Sequence, residues 1–393
     1  MFSSRFHWDP SPNRLTRLLQ EKRRAGATGI DPILDLTESN PTHAGLTYPE
    51  EIMHTLADPR ALRYDPQPGG SLAAREAVCR YYAEAGHAVE PDRVLLTAST
   101  SEAYAYLFKL LADPGDEVLV PRPSYPLFEF LATMESLRVV SYPLVYHGGW
   151  SIAWSIDDHA LAAAVTPRTR AIVVVNPNNP TGSFLKRDEL LFLQSLGLPL
   201  ISDEVFADYA FAEDAQRVRT LAATTETLTF SMSGLSKIAG LPQMKLGWIV
   251  ISGPPAARAE AKDKLEWIAD TYLSVSTPVQ QAASRLLELG KGIQAQIAAR
   301  VRANLAWLAS AIAPDSPCRT LAVEGGWYVT LQVPRIRRDE EWALELLEKD
   351  NVLVQPGFFY DFESEAFLVL SLLTEPGTFQ EGCRRLLERV DIG

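Results

Sequence analysis

The sequence predicts an α/β protein, with a three-layer large domain around a mostly parallel sheet and a smaller C-terminal α/β domain. Three observations carry that expectation. From about residue 90 to Gly253, short runs rich in Val, Ile and Leu alternate with segments of helical pattern, as they do where helices bury both faces of a sheet. Beyond Gly253 the pattern changes to consecutive helical segments and then to a second, shorter alternation. The chain of 393 residues, 47% hydrophobic and 22% charged, is long enough for two or three domains and a large buried core.

The elements follow from those runs in order. Val94–Ala98 reads as a strand and Glu102–Leu111 as a helix. Glu117–Val120 is the next strand, Pro126–Met134 a helix and Arg138–Tyr142 a strand. A helix is expected around Ile156–Ala164, a strand at Ala171–Val175, a helix near Asp188–Ser195, and strands at Leu200–Ser202 and Thr227–Phe230. Turn signals such as Asp113-Pro-Gly-Asp116 separate these units. Pro255–Ile268, Pro278–Leu289 and Gly292–Ile312 read as three helices. Strands at Thr320–Val323, Trp327–Val333, Val352–Gln355 and Phe367–Leu370 then alternate with helices at Glu340–Lys349 and Phe379–Val390. The expected division is an N-terminal segment, 1–45, packing with the small domain, a large domain, 46–290, and a small domain, 291–393.

Composition narrows the function. With 37 basic and 49 acidic residues the net charge is −12, which argues against nucleic acid and anionic membranes as partners. Cys79, Cys318 and Cys383 are widely spaced, so neither a disulfide framework nor a zinc site is expected. The start of the chain lacks the apolar run of a signal peptide, and no run reaches the roughly 18 apolar residues of a membrane span. A cytoplasmic enzyme is the expectation.

Lys237 lies in a turn of small residues, Ser231–Trp248, with a second cation, Lys245, followed closely by Gly247. A lysine so placed can condense with an aldehyde while the other cation holds an anionic group. Asn176-Pro-Asn-Asn-Pro-Thr-Gly182 follows a predicted strand, so Asn179 can present its amide at the sheet's carboxyl edge, although a plain Asn- and Pro-rich turn would look the same. Asp203, in Ser202-Asp-Glu-Val-Phe206, ends the next strand. A carboxylate there can pair with a protonated pyridine nitrogen, or be a solvated loop acid.

Taken in order, Asn179, Asp203 and Lys237 with their flanking motifs resemble the fold type I pyridoxal-phosphate aminotransferases of class I/II, over nearly the whole chain from about Asp35. The resemblance implies that Lys237 holds pyridoxal 5′-phosphate as a Schiff base and moves the substrate proton. It implies further that Asp203 faces the ring nitrogen and that Ser99, Thr100 and Ser101 cradle the phosphate with Ser236 and Lys245. Ser99 and Glu102 also read as a capping box, and a helix N-terminus there favours an anion. Tyr125 matches the residue that stacks on the ring. Tyr64 matches one that reaches the partner's site in a homodimer, and Asn40 falls in the substrate loop. The partners implied are a small-molecule amino donor and a keto acid acceptor.

Three positions depart from the family pattern. Lys245 stands for an arginine and so offers a point charge, not a planar fork. Phe206 stands for a tyrosine and cannot donate to the ring's phenolic oxygen, which leaves Asn179. Val369 stands where an arginine clamps the substrate carboxylate; Arg122 is the candidate substitute, a surface arginine the alternative reading. A lyase or decarboxylase on the same scaffold is the alternative function, because the bond aligned to the ring sets which one breaks. A cofactor-binding regulator with a DNA-binding arm is disfavoured by the charge and by a resemblance that begins so near Met1.

Overall fold

The computed structural model describes residues 2–6, 8, 9, 11–26, 32–148 and 153–393; positions 1, 7, 10 and 27–31 of the expected N-terminal segment lie outside the described residues. The first strands are β1 (Leu34–Asp35), β2 (Val94–Thr97), β3 (Glu117–Arg122), β4 (Arg138–His147), β5 (Ala153–Ile156) and β6 (Thr169–Val175). They are followed by β7 (Leu200–Asp203), β8 (Thr229–Gly234), β9 (Gly247–Ser252) and β10 (Arg319–Thr320). The last are β11 (Tyr328–Gln332), β12 (Val352–Leu353), β13 (Gln355–Pro356) and β14 (Phe367–Ser371).

Eight strands make one sheet in the order β2-β9-β8-β7-β6-β3-β4-β5. The five central strands, β8 to β4, run parallel. β9 is antiparallel to both β8 and β2, so the two reversals return β2 to the common direction. The ends of β2, β3, β6, β7 and β8 therefore open on one edge.

Alternation along these strands builds the layers. Val118, Val120 and Val173 pack on one face with Leu107 and Phe108 of the Thr100–Leu111 helix and Leu265 of the Pro255–Asp270 helix. Leu119, Ile172 and Val174 point to the other face, against Leu161 and Leu193. Helices cover both faces, which explains why the strands read as continuous apolar runs.

The second sheet has the order β10-β11-β14-β13 and is antiparallel. From the N-terminal stretch, β1 pairs in parallel with β12, and the Arg14–Gly26 helix reaches the Asp339–Asp350 helix through Arg14 and Glu340 at 3.4 Å.

The structure corrects several expected elements: β9 was not foreseen, and Val352–Gln355, read as one strand, divides between β12 and β13 of different sheets. Pro278–Leu289 and Gly292–Ile312 are not separate helices but one, Thr277–Ala311, of 35 residues. Gly290 does not break it: a Cβ there would lie 2.4 Å from the Ala239 Cβ, so this glycine serves close packing. The expected boundary at 290–291 falls inside that helix. Ile156 ends β5, and the helix begins only at Asp158, capped by Asp157.

Candidate functional site

β8 ends at Gly234, where a Cβ would lie 2.8 Å from the Gly247 Cα and from the Leu246 oxygen. Glycine here lets the strand turn into the short Leu235–Ile238 helix that carries Lys237. The Tyr209 hydroxyl donates to the Lys237 carbonyl at 2.6 Å and fixes that turn. The Lys237 amine sits 4.9 Å from the Trp327 ring centroid and 5.8 Å from that of Phe206. Burial against these walls lowers its pKa to about 8, with the Asp203 charge opposing the fall.

Asp203 stands at the end of the adjacent parallel strand. Burial raises its pKa to about 6, while donors from the Val205 amide (3.3 Å) and the Tyr104 hydroxyl (3.2 Å) pull it down. At neutral pH it is an ionised carboxylate short of solvent. Glu204 points the other way and anchors the strand end: its carboxylate accepts from the Leu221 amide (2.8 Å), Thr220 (2.6 Å) and Ser202 (2.9 Å).

Asn179 is 7% exposed, and its Oδ1 is buried with no hydrogen-bond partner. Such an orphan is costly unless a bound group meets it. Its neighbour Asn178 is fully engaged, with Ser124, the Pro123 carbonyl and Thr181. Ser99 is the N-cap of the Thr100–Leu111 helix, accepting from the Glu102 amide at 3.2 Å. The Glu102 carboxylate accepts from the Ala98 amide at 2.6 Å, one residue earlier than a standard capping box requires. A Cβ on Gly247 would lie 3.2 Å from the Ser99 carbonyl carbon, so this helix start abuts the Lys237 turn. Thr100 and Ser101 lie in that first turn, Ser101 exposed.

Tyr125 lies within electrostatic range of Asp203. Ser236 adjoins Lys237, and Lys245 is exposed in a left-handed conformation with φ 51°. Tyr64 is 73% exposed and points outward. The remaining candidates take other partners. The Asn40 Oδ1 accepts from the Thr42 amide (3.1 Å) and hydroxyl (2.8 Å), closing a local turn. Arg122 donates from Nε to the Asp361 carbonyl at 2.8 Å and pairs with Glu363 at 3.9 Å. Val369 is 1% exposed in the middle of β14.

Tyr104, Tyr209 and Trp327 were not singled out in the sequence. For Tyr104 and Tyr209 the signal available was a tyrosine inside or beside a motif, since a buried tyrosine hydroxyl seeks a partner. Trp327 comes from a distant strand and carried no local signal.

Comparison with known proteins agrees with this geometry. The model of the family "Aminotransferase class I and II" matches residues 31–386. The glutamate-pyruvate aminotransferase AlaA of Escherichia coli K12 is 28% identical over 360 residues, 88% of this chain and 87% of the relative. The alanine aminotransferase of Mycobacterium tuberculosis H37Rv is 29% identical over 356 residues, 87% of this chain and 81% of the relative. Among solved structures, an alanine aminotransferase from Pyrococcus furiosus superposes with a TM-score of 0.86 across 100% of both chains. At 23% identity that likeness is one of fold.

Proposed function

This chain belongs to the class I and II aminotransferases, and on that premise we propose that its reaction runs at Lys237, with Asp203 and Asn179 as its fixed partners. The enzyme is an aminotransferase, and its family works with pyridoxal 5′-phosphate. The residues present fit that group: a lysine whose pKa is lowered by burial, a carboxylate short of solvent, and an Asn179 amide whose oxygen has no partner converge on one sheet edge. The single observation that carries the reading is the Lys237 amine, set between Trp327 and Phe206 within the field of Asp203.

In this proposal Ser99, Thr100, Ser101, Ser236 and Lys245 hold the phosphate, Tyr125 and Asn179 the ring, and Asp203 the ring nitrogen. When bound, the cofactor supplies an electron sink for a carbon that loses a proton. Lys237 Nζ has a pKa of about 8 and so stands partly neutral near that pH; it can attack an aldehyde and later accept and return the substrate proton. Asp203 stays ionised above about pH 6 and balances positive charge on the ring. Tyr104 and Val205 keep its oxygens aimed, and the Trp327 and Phe206 rings keep water from the amine.

Tyr64, with Leu62 at 91% exposure and Trp267 at 79%, supports a homodimer in which Tyr64 reaches the partner's site. Among the described residues no helix is long and apolar enough to cross a membrane, and we place the enzyme in the cytoplasm. The substrates are a small-molecule amino donor and a carbonyl acceptor, a keto acid in an ordinary family reaction. Val369 stands for the family's carboxylate-binding arginine in this reading, and Arg122 is drawn to Asp361 and Glu363 instead. The 1–45, 46–290 and 291–393 division is retained as a functional grouping, with the Thr277–Ala311 helix shared by the last two. The test is borohydride trapping of the cofactor-loaded protein followed by peptide mapping. Label on Lys237 that disappears in Lys237→Ala is expected; label elsewhere, or none, refutes the proposal.

A further inference from the structure

Val369 lies on the face of the small sheet that also carries Tyr328. Leu368 and Leu370, its neighbours on β14, belong to the apolar core, so strand alternation turns Val369 the other way. Its cross-strand partners, Thr330 on β11 and Gln355 on β13, share that face. Tyr328, two residues before Thr330, is on it as well. The Tyr328 ring is 6.2 Å from Phe206, which flanks the Lys237 amine. Tyr360 donates to the Gln355 side-chain oxygen and lies within electrostatic range of Tyr328 and Tyr125.

This wall is polar, and Arg319, a cation on the same face, sits exposed at its outer edge with Nε donating to the Gln332 side-chain oxygen at 2.6 Å. Thr330 is 3% exposed, and its Oγ1 is buried without a hydrogen-bond partner. The Arg122 guanidinium is held by Asp361 and Glu363. Arg300, nearby in the chain fold, donates to the carbonyls of Ala44 (2.9 Å) and Leu373 (3.3 Å). The ionised side chain acting on Tyr328 is an acid, Glu38. A carboxylate set against Val369 would lose its water without an opposite charge beside it, a costly arrangement.

We infer that the donor of this enzyme carries an uncharged polar group, a hydroxyl or a carboxamide, where ordinary amino acids carry the α-carboxylate. The inference rests on the aminotransferase reading of Lys237. Thr330 Oγ1 and the tyrosine hydroxyls supply donors and acceptors for such a group, and Val369 supplies its apolar floor. In the reaction the donor carbon loses a proton and its C–N bond, is oxidised by two electrons, and ends as a carbonyl whose oxygen comes from water. The acceptor carbonyl gains the nitrogen and the same two electrons and releases water. Donor and acceptor take turns in one pocket, so the acceptor meets this wall too.

The test is calorimetric and spectroscopic titration of the cofactor-loaded enzyme with alanine, alaninamide and alaninol, which differ only in the group at issue. Wild-type protein is expected to bind the amide and the alcohol at least about tenfold more tightly than alanine, after correction for amine basicity. Val369→Arg is expected to raise alanine affinity by about tenfold or more relative to alaninamide; this ratio cancels basicity altogether. Thr330→Val keeps the side chain's shape and is expected to weaken amide and alcohol binding by about threefold while leaving alanine unchanged. Alanine binding as tightly as alaninamide in the wild type overturns the inference, and so does an unchanged ratio in folded Val369→Arg. Should that variant fail to fold, Thr330→Val decides: equal effects on all three ligands overturn it. Borohydride labelling on the same sample separates the two readings. Without label on Lys237 the aminotransferase proposal falls, whereas label together with alanine preference removes only the donor inference.

Discussion

The Tyr104 hydroxyl donates to Asp203 Oδ2 at 3.2 Å, joining the first turns of the Thr100–Leu111 helix to the end of β7. One helix thus carries both the Ser99 cap, proposed to take the phosphate, and the support of the buried carboxylate. Removing this donor raises the Asp203 pKa further, because the bond favours the charged form. Tyr104→Phe should therefore move the acid limb of the kcat/KM profile to higher pH, with a loss of about tenfold below it. A limb that stays in place would show the hydroxyl to be a packing feature only.

Lys237 gives a second prediction. With a pKa of about 8, its covalent uptake of pyridoxal phosphate by cofactor-free protein should rise with pH through a midpoint near 8. Asp203 holds that pKa up, so Asp203→Asn should shift the midpoint downward. Stopped-flow absorbance across roughly pH 6 to 10 measures both. A midpoint near that of a free lysine would contradict the buried setting.

The packing at Gly290 makes a test in which the sign decides. In an exposed helix interior, Gly→Ala stabilises by up to about 1 kcal/mol. Gly292 meets nothing within 4 Å, so Gly292→Ala should raise Tm. Gly290→Ala sets a methyl 2.4 Å from the Ala239 Cβ, two residues beyond Lys237, and should cost about 1–3 kcal/mol. Thermal melts of the two variants should move in opposite directions.

Glu204 links stability to pH. Burial raises its folded-state pKa to about 7 from an ordinary 4.5, despite several donors. A raised carboxyl means that the folded form binds its proton more tightly, so stability is greatest on the acid side and falls as pH climbs from 4.5 to about 7. Asp203 adds to this fall between 3.8 and about 6. Melting temperatures of cofactor-free protein should drop over that interval, and Glu204→Gln should flatten the slope. An equal slope in both proteins would exclude Glu204 as its source.

Much of this was written in local sequence. Asn179, Asp203 and Lys237 each follow a predicted strand, and parallel strands place their ends together, so order along the chain became proximity in space. What local patterns could not reveal depends on contacts across the fold. β9 was hidden because its residues Gly247–Ser252 adjoin the lysine motif and pair antiparallel. Gly290 and Gly292 together read as a break, yet one packs on Ala239 and the other faces open space. Trp327 reaches the lysine, and Tyr328 its neighbour Phe206, only because the second sheet folds against the first. The partners of Arg122, the candidate for a missing clamp, were hidden for a similar reason: Asp361 and Glu363 lie far along the chain.

The Thr277–Ala311 helix, 35 residues without interruption, would run for roughly 50 Å at the usual rise. Near its first half Gly290 grips the lysine-bearing segment, and near its end Asn304 donates to the carbonyls of Leu372 and Thr374, just past β14, at 2.8 Å each. It is a strut bolted at its middle beside the lysine's turn and, toward its end, behind β14. One continuous element thus holds the lysine's turn and the back of the small sheet at a fixed spacing.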